Sequence, residues 1–236
     1  RTEKDIRFKR EIKLEGVSYS YPKSNKITLN DITITIKDKE FIYILGESGS
    51  GKSTLVDILL GILTPNSGEV KIDDTVLRKD NRKSWWRNIS YIPQKTFLNN
   101  TSLTNNVSLY DKAPDLKKIR YICESIGIAY LYKRYRDKCV GDDGAFLSGG
   151  EKQRVAIARG LYKRSKIIFL DEATSALDIS NEEKVIKYLK EIDTTVLFIT
   201  HNIQKIEPSD RVIEIKNGKI IFDGKWMQNR RNINVR

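Results

Sequence analysis

The octapeptide "GESGSGKS" at residues 46–53 combines residue types that hold phosphate groups. It fits the pattern G-x-x-x-x-G-K-[S/T] and stands between an apolar stretch and a helical one, the context in which this pattern is most specific. Its glycines allow backbone N–H groups to turn inward around an anion, Lys52 can reach the β- and γ-phosphates of a nucleotide, and the hydroxyl of Ser53 can bind Mg²⁺. We therefore predict a nucleotide-phosphate site here rather than a flexible glycine turn.

Two acidic residues, Asp171 and Glu172, end the stretch "IIFLDE" at residues 167–172. Ligands of open α/β sheets collect at the carboxyl ends of the strands, where this pattern places two acids. The carboxylate of Asp171 suits Mg²⁺, held directly or through water. Glu172 is the candidate general base for a water that attacks the γ-phosphate. Four preceding apolar residues and the phosphate loop favour this interpretation over two acids on a surface turn.

Two adjacent glycines stand at an unusual place in "LSGGEKQRVAIARG", residues 147–160. Gly149 and Gly150 come directly before a strongly periodic helical run, although each lowers helix stability relative to alanine. The pattern predicts that some group approaches this bare backbone closely. These residues alone leave the identity of that group open.

The surrounding patterns predict the elements that position these residues. Residues 11–45 predict short strands in an antiparallel arrangement, "EFIYILG" a strand buried on both faces, and "KSTLVDILLGIL" a helix that ends near "TPNSG". Residues 103–139 are polar and mainly helical. From residue 148 helices alternate with apolar strands, which predicts a parallel sheet flanked by helices, and "KNG" predicts a closing hairpin.

Composition limits the remaining classes. The 236 residues are 39% hydrophobic, enough for a sizeable core, and no apolar run approaches the roughly 18 residues of a membrane span. The net charge of +12 would suit nucleic acid or an anionic membrane, but the basic residues are scattered and no nucleic-acid module signature accompanies them, so we expect no nucleic-acid partner. Two cysteines favour a reducing compartment. The chain begins at Arg1 without a methionine, and we expect it to be part of a longer polypeptide.

The order "GESGSGKS", "YIPQ", "LSGGE", "IIFLDEATSALD" and "ITHN" resembles the ATP-binding cassette (ABC) ATPases over nearly the whole chain. The resemblance implies a P-loop NTPase core with a mixed, mainly parallel sheet, an antiparallel β subdomain and a helical subdomain at about residues 103–150. The cassette would span residues 11–226, between a linker at 1–10 and a tail at 227–236. It implies ATP and Mg²⁺ as cofactors.

The same resemblance implies a head-to-tail homodimer, or a dimer with a similar cassette, in which each signature meets the γ-phosphate on the partner's phosphate loop. The backbone N–H groups of the two glycines would then point toward that phosphate. The implied nucleotide-binding residues of the loop are Gly46, Glu47, Ser48, Gly49, Ser50, Gly51, Lys52, Ser53 and Thr54. Those of the signature are Leu147, Ser148, Gly149, Gly150 and Glu151, where Glu151 stands in place of the commoner glutamine.

Four further residues take roles that the resemblance implies. Tyr21 in "YSYP" would stack on adenine, with a buried strand tyrosine as the alternative. Gln94 would sense Mg²⁺ and the γ-phosphate. The lone histidine, His201, would bond the γ-phosphate and orient the attacking water. Asp178 in "SALD" would communicate across the dimer, with a turn or helix cap as its plainer role. Lys52 and Gln94 thus join Glu172 and His201 as expected catalytic residues, and Ser53, Gln94 and Asp171 are the expected metal ligands.

"VGDDGAFLSGGE" and "DEATSALD" are similar to the exporter branch of the family. That similarity implies a membrane domain on the same polypeptide, a place on the cytoplasmic face of the inner membrane, and a cargo such as a lipid-linked oligosaccharide or another lipid. The alternative is an ABC ATPase of DNA repair or translation. A repair ATPase would separate the phosphate loop from the signature by a long coiled coil, and a translation factor would carry two cassettes.

The loop that follows Gln94 carries apolar residues among polar ones. Phe97, Leu98 and Leu103 stand among polar residues that cannot bury them locally. We expect some of this apolar surface to face a partner, which would be the membrane domain.

Overall fold

The computed structural model describes residues 5–22, 24 and 26–228. Within these residues the chain forms two compact units: the first runs to Ile89 and resumes at Thr194, and the second is Ser90–Asp193. Part of the expected linker, residues 1–4, and most of the expected tail, residues 229–236, lie outside the described residues.

The strands and helices follow the chain in this order. The first unit begins with β1 (Glu11–Tyr19), β2 (Leu29–Lys37), β3 (Phe41–Leu45), α1 (Lys52–Leu59), β4 (Ser67–Ile72), β5 (Thr75–Val76) and α2 (Arg82–Trp86). Next come β6 (Ile89–Ile92), α3 (Leu103–Ser108), α4 (Leu116–Ser125), α5 (Ala129–Tyr135), a 3₁₀ turn (Asp142–Gly144), α6 (Gly149–Tyr162), β7 (Ile167–Asp171) and α7 (Ile179–Glu191). The first unit closes with β8 (Thr195–Ile199), β9 (Arg211–Lys216) and β10 (Lys219–Lys225).

An antiparallel sheet in the order β2-β1-β4-β5 forms one part of the first unit. Strand β1 pairs antiparallel with both β2 and β4, which confirms the antiparallel opening. Ile32, Ile34 and Ile36 of β2 are buried on one face, because successive side chains of a strand point to opposite faces. Leu29 is also buried, beyond a register shift that lies between it and Ile32.

Strand β3 lies at the centre of the other sheet of this unit. It pairs in parallel with β8 on one side and with β9 on the other, and β9 returns antiparallel through β10. The wholly apolar "FIYIL" suits this central place, because such a strand is covered on both faces. Asn217 and Gly218, both with positive φ, form the predicted hairpin turn.

The segment before β1 is packed onto α2. Ile6 and Phe8 are buried, the Ile6 N–H donates to Ser84 Oγ at 2.7 Å, and the ring of Phe8 meets Trp85 edge-on at 6.1 Å between centroids. The indole N–H of Trp85 in turn donates to the Leu59 carbonyl at the end of α1. The described part of the expected linker is therefore attached to the cassette.

The second unit contains three short helices, α3 to α5, beside the longer α6, and it contains the neighbouring strands β6 and β7. Helix α6 is largely buried, and the Ser90 hydroxyl donates to the Gly160 carbonyl within it at 3.0 Å. None of the helices in the described residues is both long enough and apolar enough to cross a membrane.

The loop after Gln94 exposes only part of its apolar side chains. Phe97 is 65% exposed, but Leu98 and Leu103 are completely buried, so among these three residues Phe97 alone offers the apolar surface that we expect to face a partner. Leu98 lies against Gly144 of the 3₁₀ turn, and the Leu98 N–H donates to Asp143 Oδ1 at 3.2 Å. The 3₁₀ turn at Asp142–Gly144 therefore packs against Leu98, a contact that the local sequence does not show.

Candidate active site

The phosphate loop follows β3 in the first unit and exposes its middle residues, Glu47 to Gly49. Lys52 is buried at the start of α1, and its Nζ donates to the carbonyls of Gly46 and Glu47 at 2.7 and 2.9 Å. These two bonds hold the ammonium over the loop. A cation in this place can meet an anion that the loop amides surround.

The first turn of α1 fits a phosphate group. Gly51 precedes it with φ +111°, and a Cβ there would lie 2.8 Å from Leu29, so glycine is required. The helix has no side-chain cap and no acid in its first turn, so its amides and its dipole are available to an anion. The buried Ser50 hydroxyl has no hydrogen-bond partner among the described residues, and Ser53 is exposed.

Tyr21 lies just beyond β1 with 42% of its surface exposed, so it is not the buried strand tyrosine of the alternative interpretation. Its hydroxyl shares a 3.1 Å hydrogen bond with Thr54 Oγ1 in the first turn of α1. Its ring meets Tyr19 edge-on at 5.1 Å between centroids. These contacts fix an exposed aromatic ring beside the helix that carries the loop lysine.

The acids of "IIFLDE" lie at the end of β7 in the second unit. Asp171 is the last strand residue and accepts a hydrogen bond from Tyr91 Oη at 3.0 Å. Glu172 has φ +49°, a left-handed conformation that costs a non-glycine residue on the order of 1–3 kcal/mol. Its Oε2 accepts a hydrogen bond from Gln94 Nε2 at 2.7 Å. The fold thus brings together two predicted catalytic residues that are 78 positions apart in the sequence.

The signature begins α6 with a capping box. Ser148 Oγ accepts from the Glu151 N–H at 3.3 Å, and Glu151 Oε2 accepts from the Ser148 N–H at 2.7 Å. No hydrogen bond to the N–H groups of Gly149 or Gly150 is found within the described part of the chain. Two amides at a helix N-terminus are therefore available to an external acceptor.

The carboxylate of Glu151 adds a negative charge at this end of α6. Burial raises its pKa, but hydrogen bonds from the Tyr130 hydroxyl at 2.7 Å and from Ser148 outweigh burial, and the pKa falls below its usual value of 4.5. The side chain is consequently ionised at neutral pH. The glutamine that is commoner at this position would make the cap without this charge.

Gly150 has a reason to be glycine within its own chain. A Cβ at Gly150 would lie 2.7 Å from the Ala176 carbonyl oxygen in the "SALD" loop, too close for any side chain. A Cβ at Gly149 would meet the Ala176 methyl at an ordinary 3.5 Å. The two adjacent glycines thus differ, and an external ligand is needed to explain only Gly149.

Two buried polar residues of α6 were missed by the sequence reasoning. Gln153 accepts from the Ala176 N–H at 2.9 Å and donates to Ser175 Oγ at 3.1 Å, so it holds the "SALD" loop. Arg154 Nη1 donates to the Gly127 carbonyl and to Asn181 Oδ1, both at 2.8 Å. Gln153 and Arg154 lie three and four positions after Gly150, on the buried stripe of α6. A polar residue at a position of the buried stripe is the sequence signal that could have identified them.

Asp178 is the N-cap of α7 and accepts from the Asn181 N–H at 2.9 Å. Hydrogen bonds from the backbone and side chain of Asn181 lower its pKa. The plainer role considered for this residue is therefore present. His201 follows β8 in the first unit and is exposed.

The sequence model of one protein family, described as ABC transporter, matches residues 29–175, more than half of the chain. This chain belongs to the ABC transporter family.

Three curated relatives illustrate the similarity to bacterial transport proteins. The chain is 35% identical over 223 residues to the lactococcin-A transport/processing ATP-binding protein LcnC of Lactococcus lactis, with 90% of this chain and 30% of that protein covered. It is 34% identical over 220 residues to the alpha-haemolysin translocation ATP-binding protein HlyB of Escherichia coli, with 91% and 31% covered. It is 34% identical over 225 residues to the ATP-dependent lipid A-core flippase of Wigglesworthia glossinidia brevipalpis, with 92% and 39% covered.

A solved ABC structure agrees with these relatives. The structure of a bacterial Atm1-family ABC exporter with ATP bound superposes with a TM-score of 0.90 at 26% identity, over 98% of this chain and 42% of that one. The predicted fold class is confirmed, and the chain is an ABC ATPase domain that binds ATP and resembles those of exporters. It spans about a third of the length of the curated relatives it matches. The comparisons do not favour a repair or translation ATPase.

Proposed function

We propose that this ABC domain is the motor of a membrane exporter or flippase, in which two cassettes close around two ATP molecules and drive transport. The catalytic part of the proposal rests on one observation, the strained Glu172 held by Gln94 directly after β7. A residue in a sparsely populated conformation is kept where its surroundings fix it, and such positions cluster at active sites.

Each catalytic residue has a proposed task. Glu172 accepts the proton of the attacking water, and Gln94 positions the carboxylate of Glu172 until nucleotide binds. Lys52 neutralises charge on the β- and γ-phosphates, and His201 orients the water toward the γ-phosphate. The exposed ring of Tyr21 offers a stacking surface for adenine.

Magnesium is the proposed metal. Ser53 Oγ and Asp171 Oδ1 offer the oxygen ligands that Mg²⁺ prefers, with Gln94 as a third ligand once it leaves Glu172. When bound, Mg²⁺ would neutralise charge that develops on the phosphate oxygens. Few protein ligands suffice, because Mg²⁺ keeps several waters and substrate phosphates in its shell.

The dimer is proposed from the signature. The unpartnered amides of Gly149 and Gly150 and the hydroxyl of Ser148 form an anion site at the start of α6, and Leu147 anchors that turn in the core. The γ-phosphate on the partner's loop would fill it. Closure of the dimer would also move Asp178, because the "SALD" loop is hydrogen-bonded to α6 through Gln153.

Transport is proposed from the relatives and from Phe97. We propose that the cassette spans residues 11–226 and contains a helical subdomain at about 103–150. We also propose that a membrane domain lies on the same polypeptide and holds the cassette at the cytoplasmic face of the inner membrane. The flippase among the relatives supports a lipid or lipid-linked cargo. The lactococcin and haemolysin transporters among them support a polypeptide cargo as the alternative. Phe97, with 65% of its surface exposed, is the residue proposed to contact the membrane domain.

The test uses Glu172→Gln, with Glu191→Gln at the exposed end of α7 as the matched control. General-base catalysis is typically worth about 10²–10⁴ in rate, so Glu172→Gln should lose at least roughly two orders of magnitude in ATP turnover and still bind ATP. In sedimentation it should be monomeric with ADP and dimeric with ATP.

Near-normal turnover in Glu172→Gln would remove this residue from the role of base. A sedimentation profile that is the same with ADP and ATP would contradict the closing dimer. The control should match the unaltered protein in both measurements.

A further inference from the structure

A cavity with the character of an anion site lies in the second unit, between α4 and α5. It encloses about 610 Å³, a volume typical of small-molecule sites, which run to about 300–1,000 Å³. Its lining comes from one end of α4, from α5 and from the segment that follows α5. The charged and aromatic members are Arg120, Glu124, Tyr130, Tyr132, Lys133, Arg134, Arg136, Asp137 and Lys138.

The lining has an excess of positive charge. It holds five basic side chains and two acidic ones, a net charge of +3. Both acids are already paired with an arginine of the same cavity, Glu124 with Arg120 at 2.8 Å and Asp137 with Arg136 at 2.6 Å. Lys133, Arg134 and Lys138 take part in none of the ion pairs found in the described residues. Three cations around one cavity therefore lack a counter-ion among the residues that the structure describes.

The two existing ion pairs do not close the site. Both pairs are solvent-exposed, where water and salt screen the attraction between the charges, so a ligand anion can compete for Arg120 and Arg136. Arginine presents a planar fork of donors that matches phosphate oxygens in pairs. The cavity thus offers two kinds of donor, lysine point charges and arginine forks.

We propose that this cavity binds a small ligand that carries two or more phosphate groups. A single phosphomonoester carries about −1.5 to −2 at neutral pH, so two phosphate groups match the net +3 of the lining. The rings of Tyr130 and Tyr132 give the site an aromatic wall for the rest of the ligand. The size of the cavity favours a compact polyphosphate over an acidic protein segment. This site is separate from the phosphate loop, which belongs to the first unit.

The site is one hydrogen bond away from the signature. Tyr130 lines the cavity, and its hydroxyl donates to Glu151 Oε1 at 2.7 Å, while Glu151 Oε2 caps the Ser148 N–H. If a bound phosphate accepted a hydrogen bond from the Tyr130 hydroxyl, that hydroxyl would no longer donate to Glu151. Occupancy of the cavity would therefore be felt at the start of α6, an effect that rests on the proposed function.

Binding itself is tested without that assumption, by calorimetric titration of the protein with inorganic pyrophosphate in magnesium-free, low-salt buffer. We expect two equivalents to bind. One should be lost in Lys52→Ala, and the other in Lys133→Gln/Lys138→Gln, whose affinity for it should fall at least about tenfold, because one charge-assisted hydrogen bond is worth that much. The matched control is Lys184→Gln/Lys187→Gln, which removes two exposed lysines of α7 and should keep both equivalents.

Vesicle flotation identifies the source of the phosphate. Vesicles of phosphatidylcholine with one tenth phosphatidylinositol 4-phosphate, a lipid with two phosphate groups, should bind in a Lys133/Lys138-dependent manner if the ligand is a lipid headgroup, and not if it is a free polyphosphate. Retention of both equivalents in Lys133→Gln/Lys138→Gln, or equal loss in the Lys184/Lys187 control, would overturn the site, whatever Lys52→Ala shows. Polyglutamate that bound the cavity as tightly as pyrophosphate would overturn the assignment to phosphate. Unchanged thermal melting of both double variants shows that the surface substitutions leave the fold intact.

Discussion

The two signature glycines should respond in opposite ways to the same added methyl group. In Gly150→Ala the new Cβ would lie 2.7 Å from the Ala176 carbonyl oxygen, whereas ordinary contact begins at 3.4 Å, so the backbone has to move by about 0.7 Å. Overpacking of this kind typically costs about 1–3 kcal/mol of folding free energy. In Gly149→Ala the nearest atom is already at an ordinary 3.5 Å, and no such cost arises.

The comparison of the two variants removes the effect of helix propensity. Alanine is favoured over glycine by up to about 1 kcal/mol in a helix, and both substitutions gain it at neighbouring positions of the first turn of α6. The predicted difference in unfolding free energy between them is therefore the overpacking cost, about 1–3 kcal/mol. For a domain of this size each kcal/mol shifts the melting temperature by about 2–4 °C.

The assay is thermal unfolding followed by circular dichroism in nucleotide-free buffer, where the stability of the monomer alone is measured. Gly149→Ala should melt at or above the unaltered protein, and Gly150→Ala several degrees below it. In the second measurement, sedimentation with ATP, Gly149→Ala should lose the dimer although it is stable, because its methyl group covers an amide that the γ-phosphate needs. A Gly149→Ala protein that melts with or below Gly150→Ala would refute the intrachain explanation.

Three further substitutions test the site and its coupling. His201→Ala should lose most ATP turnover but bind ATP with only modestly lower affinity, since other groups hold adenine and the α- and β-phosphates; parallel loss of both in a nucleotide titration would make His201 structural. Phe97→Ala should leave the ATPase rate of the detached cassette unchanged and reduce transport by reconstituted protein with its membrane domain, and equal loss in the detached cassette would contradict that. Glu151→Gln keeps the cap but removes a negative charge beside the γ-phosphate, so sedimentation should show dimerisation at a several-fold lower ATP concentration. Because the folded pKa of Glu151 is lowered, its carboxylate stabilises the fold above pH 4.5 and loses that effect as the pH falls further, a dependence that urea unfolding should find absent in Glu151→Gln.

Features set by neighbouring residues could be predicted from the sequence. The loop between β3 and α1, the acids that end β7 and the hairpin at residue 217 each follow from a short pattern and its flanks. Helix α1 already shows the limit of such patterns, since it ends at Leu59 where the apolar stripe continues to Leu63. Gly61 with positive φ ends it there.

Features set by distant residues could not be predicted in this way. The burial of Leu98 depends on a turn more than forty positions later, and the glycine at 150 is required by a carbonyl at 176. The bond between Gln94 and Glu172 joins two residues that were each identified but not expected to touch. A one-dimensional pattern holds no information on which loops fold back on each other, so the partners had to come from the structure.

The attachment of the segment before β1 determines where a mechanical load enters the domain. Ile6 is bonded to Ser84, and Phe8 lies against Trp85, so tension along the chain from the N-terminal side would reach α2 before it reaches Glu11. From α2 the indole of Trp85 passes it to the carboxyl end of α1, the helix whose other end carries Lys52. Traction on this segment would thus be transmitted to the helix that begins at the proposed phosphate site before it loads the antiparallel sheet.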